Sequence, residues 1–87
     1  MASKTVIVGS AVGLHARPAA IIAEKAEELG VDIELSVEGE EAVDASSALL
    51  IMTLGAEHGT VVTIESESQE AVDAIAALVA EDLDARD

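Results

Sequence analysis

The chain has 87 residues, 51% of them hydrophobic, and contains no aromatic residue and no cysteine. Its 18 acidic residues face only four basic ones, which gives a net charge of −14. This composition fits a single domain over residues 1–87 and excludes disulfides, thiolate metal sites and nucleic-acid binding, which needs a basic surface. The sequence has neither a signal-peptide pattern nor an apolar run near the roughly 18 residues that span a bilayer, so we expect a cytoplasmic protein without membrane insertion.

The first half of the chain predicts a strand, a helix and then two strands. Residues 4–8 form a short strand with alternating valines. Residues 17–29 carry apolar side chains at helical spacing, and Gly30 supplies the left-handed residue that ends a helix. Strict apolar–polar alternation over residues 31–37 predicts a strand with one buried face, followed by a turn and a short edge strand over residues 41–44.

The second half predicts a helix, a strand and a helix. Ser46 and Ser47 are candidate caps of a short helix over residues 49–52, and residues 60–65 form a strand rich in β-branched side chains. A last amphipathic helix is expected over residues 69–83. The order β-α-β-β-α-β-α predicts an α+β open-faced sandwich, with a four-stranded, mostly antiparallel sheet and three helices on one face.

A histidine and an arginine stand two residues apart at the expected start of the first helix, in the stretch GLHARPA at residues 13–19. Pro18 suits a first helical position, because its missing N–H would have no partner there. The free amides and the positive dipole end beside His15, together with the Arg17 cation, favour an anion. The local pattern therefore suggests an imidazole that accepts and passes on a phosphoryl group, although a surface histidine beside a helix end would look the same.

Three motifs resemble one known family. Residues 13–20 resemble the active-site signature of the histidine-containing phosphocarrier (HPr) family of the phosphoenolpyruvate-dependent sugar phosphotransferase system. SSALLIMTLG at residues 46–55 resembles the family's second motif, and GTVVTI at residues 59–64 resembles its last strand. The similarity covers residues 4–83 in the family's order. It implies the HPr-like open-faced sandwich and a phosphoryl carrier that is not itself an enzyme and needs no cofactor.

The resemblance also implies roles for particular residues. His15 would accept the phosphoryl group on its Nδ1 atom, and Arg17 would stabilise the phosphoryl oxygens. Enzyme I is the implied donor and a sugar-specific IIA domain the implied acceptor, and we expect a monomer with an exposed His15. The residues expected to dock these partners are small or apolar: Ala16, Pro18, Ala20, Leu49 and Leu50, with Met52 beside them.

The sequence departs from the resembled family at this docking surface. Glu24 and Glu27 stand where several family members carry lysines, and Leu50 replaces another lysine. The departure leaves the phosphoryl chemistry intact but changes the charge that a partner meets. We therefore expect poor docking with acidic partners from unrelated species.

Ser47 matches a serine that some members of the family use as a regulatory phosphorylation site, counting back from residues 53–55. Counting forward from His15 points to Ser46 instead, because the chain carries one extra residue near Glu40. We choose Ser47, since turns tolerate insertions. A plain helix cap is the alternative; a phosphate added by a serine kinase would place negative charge beside the docking surface and weaken docking.

Other functions remain open at this stage. Carriers of a regulatory nitrogen branch or of dihydroxyacetone phosphorylation are close alternatives within the same fold. A self-contained enzyme is disfavoured because the chain has no P-loop and no Ser-His-Asp constellation. A metal-binding module would have to use His15 and His58; we interpret His58 as a surface residue and expect no metal site.

The acidic residues are unevenly distributed along the chain. Residues 1–23 contain none, and all 18 lie from Glu24 onward. A solvated acidic surface and a reactive segment kept free of anions are compatible explanations, and we favour their combination. So strong an acidic bias is also typical of proteins that work in concentrated salt, which leads us to hypothesise a halophilic source.

Overall fold

The computed structural model describes residues 1–11 and 13–81. Over these residues the chain forms four strands, β1 (Ala2–Ile7), β2 (Ile33–Val37), β3 (Val43–Asp44) and β4 (Val61–Ser66). It also forms three helices, α1 (Ala16–Leu29), α2 (Ala48–Thr53) and α3 (Gln69–Ala80). The order is the one predicted from the sequence. None of these helices has the length and apolar character needed to cross a membrane.

The strands form one sheet in the order β1-β4-β2-β3. Every pairing among the described strands is antiparallel, so the predicted sheet is confirmed. The central strand β4 is the one richest in β-branched residues, which favour a pleated surface packed on both neighbours. The short strand β3 lies at the edge, as predicted, and pairs with β2 at only two positions.

The core lies on one face of the sheet, between the strands and the helices. Val62, Ile64 and Leu35 point into it from β4 and β2 and are fully buried. The helices complete the core with small and branched side chains, namely Ala19, Ile22, Ala23 and Ala26 of α1, Ile51 of α2, and Ala71, Val72, Ile75, Ala76 and Val79 of α3. The other face of the sheet carries no helix in the described chain, so the open-faced sandwich is confirmed.

Local sequence signals explain both ends of α1. His15 is its N-cap, with an extended backbone, and Pro18 lies in its first turn. Gly30 ends the helix at φ 69°, in the left-handed region, and donates its N–H to the Glu27 carbonyl at 3.2 Å. The helix predicted over residues 17–29 therefore begins one residue earlier, which is within the usual uncertainty of a helix end.

The observed strand boundaries differ from the predicted ones where the apolar–polar alternation of the sequence continues beyond the residues that pair with a neighbouring strand. The strand predicted over residues 31–37 begins at Ile33, because the chain is still turning away from α1 before pairing with β4 starts. Val31 is consequently 44% exposed. The predicted edge strand is reduced to Val43–Asp44. The last helix ends at Ala80, and Leu83, predicted on its buried side, lies outside the described residues.

Candidate functional site

His15 stands exposed at the N-terminus of α1. Its carbonyl accepts the Ala19 N–H at 2.8 Å, which is the first hydrogen bond of the helical ladder. Its imidazole makes no capping hydrogen bond within the described chain, and the first turn of α1 contains no acidic residue. The amides of that turn and the positive end of the helix dipole therefore face the space beside an accessible ring, with no neighbouring carboxylate in the turn to repel an anion.

Backbone hydrogen bonds hold the segment before His15 in place. Leu14 is buried and donates its N–H to the Ala56 carbonyl at 2.9 Å. Gly13 donates its N–H to the Ser10 carbonyl, also at 2.9 Å. The exposed imidazole is thus carried on an anchored backbone, which limits the positions the ring can take.

Gly13 is required by both its backbone angle and its surroundings. Its φ is 76°, and an added Cβ would lie 2.5 Å from the Ala56 oxygen and 2.8 Å from the Glu57 Cα. The loop after α2 therefore packs directly against the segment that carries His15. In the sequence, residues 56–59 are only part of the connection between the helix predicted over residues 49–52 and the strand predicted over residues 60–65. A glycine before the histidine can indicate a close approach of another segment, but it does not identify that segment.

The predicted residues around His15 divide into exposed and buried ones. Ala16, Arg17 and Ala20 are exposed and lie on the first turns of α1. Pro18 is fully buried, so the expectation that it belongs to the exposed docking surface has to be corrected. Its ring, pointing inward, fixes the start of the helix, which is a positioning role.

Three apolar side chains of the six-residue helix α2 are exposed. Leu49 is 71% exposed, and Leu50 and Met52 are exposed to 40% and 37%. Between them Ile51 is fully buried and fixes the helix to the core. Helix α2 packs against α1. The apolar side chains expected from the second motif therefore lie on a helix that is next to α1, the helix that follows His15.

Ser46 and Ser47 have different structural roles. The Ser47 hydroxyl oxygen accepts the Leu50 N–H at 3.2 Å and caps α2. Ser46 is exposed and donates its N–H and its hydroxyl to Asp44 Oδ1, at 2.9 and 2.7 Å. These two hydrogen bonds, the one from the backbone being the stronger influence, lower the pKa of the Asp44 carboxyl.

The second histidine does not join the first in a metal cluster. His58 is exposed in the loop that precedes β4. In the part of the chain that the structure describes, no group of three or more histidine or carboxylate side chains is arranged to hold a metal ion.

The chemistry available at His15 is nucleophilic. A neutral imidazole carries a lone pair on one ring nitrogen and is a competent nucleophile near neutral pH. An accessible ring at a helix N-terminus, two residues before the exposed Arg17, suits attack on an electrophile that bears negative charge, such as a phosphoryl group.

Comparison with known proteins gives concordant matches. The family model described as "PTS HPr component phosphorylation site" matches residues 2–81. A phosphocarrier protein HPr of Streptomyces coelicolor is 42% identical over 55 residues. That alignment covers 63% of this chain and 59% of the relative's length.

Solved structures match over more of the chain. A phosphocarrier protein HPr from Bacillus anthracis is 37% identical with a TM-score of 0.83, and the match covers 90% of this chain and 95% of that one. HPr-C-His from Thermoanaerobacter tengcongensis is 30% identical with a TM-score of 0.86, and the match covers 99% of each chain.

Proposed function

Because the chain belongs to the HPr family of the phosphotransferase system, we propose that it carries a phosphoryl group on His15, from phospho-enzyme I to a sugar-specific IIA domain. The observation that carries the proposal is the exposed imidazole at the start of α1, beside a first helical turn without acidic residues. The donor, the acceptor and the role of each residue are our inference. The single domain expected over residues 1–87 is part of the same proposal.

The reaction transfers one phosphoryl group between two nitrogen atoms. The lone pair of the unprotonated His15 nitrogen, Nδ1 by analogy with the family, attacks the phosphorus atom of the donor's phosphohistidine. The new N–P bond forms as the donor's N–P bond breaks, and the donor histidine keeps that electron pair. The same exchange in the opposite direction, with a different partner, discharges the carrier, so the chain turns over no small molecule and remains a protein substrate.

Arg17 would bind the phosphoryl oxygens. It is exposed two residues after His15, and its guanidinium offers several donors to an anion. We expect Arg17→Ala to slow transfer by about tenfold or more, since a hydrogen bond to a charged group is worth roughly 1.5–3 kcal/mol. Such an effect would be measured in the rate of transfer, with His15 still phosphorylated at long times.

Docking is proposed to be transient and to use the exposed side chains of Ala16, Ala20, Leu49 and Leu50. A monomer suits that role because it leaves His15 accessible. Dimers occur among similar structures, including a catabolite-repression protein of Bacillus subtilis with a swapped domain. Light scattering of this chain at several concentrations would decide between the two states.

Three finer proposals accompany the carrier function. Ser47 would be the target of a serine kinase, with Ser46 as second choice, and a phosphate there would weaken docking. A cytoplasmic location follows from the proposed acceptance of a phosphoryl group from enzyme I. The acidic surface would suit a halophilic cell, in which concentrated salt screens repulsion.

The function is tested by intact-mass spectrometry after incubation with phosphoenolpyruvate and enzyme I from the same organism, in high salt. We expect the wild type to gain one phosphoryl group that is lost in acid, and His15→Ala to gain none. His58→Ala is the matched control, because it removes the other histidine and should be phosphorylated normally. No gain by the wild type, with an enzyme I shown to be active, would overturn the proposal.

A further inference from the structure

The exposed side of α1 has a fixed order of side chains. Ala16, Ala20, Glu24 and Glu27 recur at spacings that place them on one side of a helix, and all four are exposed. We call them the α1 stripe. At 1.5 Å per residue, Glu24 lies about 12 Å and Glu27 about 17 Å along the helix axis from Ala16. The stripe is thus uncharged at the end next to His15 and negative at the far end.

The exposed part of α2 lies beside this stripe. After α2, the Ala56 carbonyl is bonded to the Leu14 amide at the His15 end of α1. Before α2, the Ala45 amide is bonded at 2.9 Å to the carbonyl of Ile33, which follows α1 in the chain. The α2 segment therefore extends from the C-terminal side of α1 back to His15, and its exposed side chains, Leu49, Leu50 and Met52, lie along the way.

The α1 stripe and these three α2 side chains form one surface, which we call the docking surface. It combines an apolar centre, a cation at the His15 end through Arg17, and two carboxylates at the far end. Lys25, the nearest lysine in the sequence, is half-buried and directed to Glu28, with Nζ and Oε1 3.8 Å apart. Among the described residues neither Glu24 nor Glu27 forms a salt bridge.

We propose that the docking surface fits a phosphoryl-donor protein whose own surface is apolar at the centre and carries lysine or arginine residues opposite Glu24 and Glu27. This inference rests on the proposed carrier function and adds the charge of the partner to it. Complementary charges speed encounter and fix the orientation of two proteins, whereas like charges facing each other disfavour docking. A chain of net charge −14 has no long-range attraction for an acidic partner.

The test is the kinetics of phosphoryl transfer from phosphorylated enzyme I of the same organism, measured at several KCl concentrations. The double variant Glu24→Lys/Glu27→Lys reverses the charge of the stripe. We expect it to raise KM about tenfold at the lowest salt concentration at which the protein is folded, because charges at the rim of an interface act mainly on association. The value of kcat and the acid-labile phosphate on His15 should not change, and the difference in KM should shrink as salt rises.

Glu40→Lys/Glu41→Lys is the matched control. It makes the same change in net charge at two exposed residues between β2 and β3, which are not among the residues of the docking surface. We expect its KM to change less than threefold. The neutral pair Glu24→Gln/Glu27→Gln should fall between the wild type and the lysine pair, and it keeps the test valid if the lysine pair folds poorly.

The outcomes separate the two proposals. A KM that rises equally in the docking and control pairs, or that falls in the docking pair, would overturn the basic partner and leave the carrier function standing. A wild-type chain that gains no phosphoryl group from an active enzyme I would overturn both proposals.

Discussion

The docking surface and the open face of the sheet differ in how they arrange charge. The first 23 residues of the chain, which include His15, contain no acidic residue, and the first carboxylate of α1, Glu24, lies about two turns along the helix from His15. On the open face, by contrast, Ser3, Glu65, Glu34 and Asp44 stand side by side in one row across the four strands. Three carboxylates in neighbouring cross-strand positions repel one another, because directly paired side chains lie only about 5 Å apart.

The negative charge of this protein is therefore not spread evenly over a solvated surface. The first turn of α1, beside the proposed phosphoryl acceptor His15, contains no acidic residue and carries Arg17. On the face of the sheet that no helix of the described residues covers, carboxylates on adjacent strands repel one another. The first region would be selected for a function, and the second would be tolerable in a solvent that screens charge. Four experiments test this difference between the two regions.

The largest effect on stability is expected from Gly13→Ala, in the segment just before His15. The substitution forces an L residue to φ 76° and places its Cβ 2.5 Å from the Ala56 oxygen. We expect the free energy of unfolding to fall by about 3 kcal/mol, at the upper end for a strained backbone position. Urea unfolding at neutral pH measures the loss.

Gly39→Ala is the control for that substitution. Gly39 has φ 85°, but no described atom lies within 4 Å of its added Cβ. The loss there should be about 1 kcal/mol, from the left-handed backbone alone. Equal losses at the two glycines would contradict the close packing of the His15 segment against the loop after α2.

A smaller effect is expected from Ser47→Ala, which removes the cap of the helix that carries the exposed leucines. Loss of a serine N-cap costs about 1 kcal/mol. Ser46→Ala removes only an exposed hydroxyl bonded to Asp44, worth about 0.5 kcal/mol. Urea unfolding of both variants should therefore rank Ser47 above Ser46; the reverse order would mean that the cap seen at Ser47 does not stabilise α2.

The repulsion on the open face is tested by Glu65→Lys, at a central position of the acidic row. The lysine would stand opposite Glu34 and convert a repulsive pair into an attractive one. We expect the free energy of unfolding to rise by about 0.5 kcal/mol in dilute buffer. The gain should vanish in concentrated KCl, where the Debye length is only about 3 Å at 1 M.

Two measurements complete the salt experiment. Glu38→Lys, in the turn after β2, changes the net charge equally without meeting the row, so it isolates the contribution of overall charge. The wild type itself should gain thermal stability as KCl is added. Equal stability of the wild type at low and high salt would contradict the halophilic hypothesis.

Local patterns predicted much of this molecule, because local physics determines those parts. The start of α1 just after His15, its end at Gly30 and a serine cap of α2 follow from side-chain and backbone preferences of single residues. Alternation also identified Ile33 and Leu35 as buried. The periodicity of a strand indicates which side chains are buried, even when the partner strand is not known.

Contacts between distant segments could not be predicted in the same way. Alternation continues through Val31, yet the strand begins only where β4 is available to pair. The hydrogen bond from Leu14 to Ala56 joins two loops and has no signature in either. The row of carboxylates became visible only with the register of the strands, since its members come from different parts of the chain. Local patterns predicted the order of the elements and the resemblance to a family implied the same architecture, but neither identified these contacts.

The smallest expected effect concerns Asp44, where the acidic row meets the edge of the sheet. The backbone N–H and then the hydroxyl of Ser46 lower the pKa of Asp44 in the folded protein. A lowered pKa contributes stability that is present above the unfolded value, about 3.9, and is lost as the pH falls through the folded value. We therefore expect Asp44→Asn to lose less stability than the wild type when urea unfolding is repeated at about pH 3 instead of pH 7. Glu40→Gln is the control, because it removes a charge in the turn, and it should lose as much stability as the wild type. If the wild type loses no more stability than Asp44→Asn, the hydrogen bonds from Ser46 do not favour the charged form of Asp44.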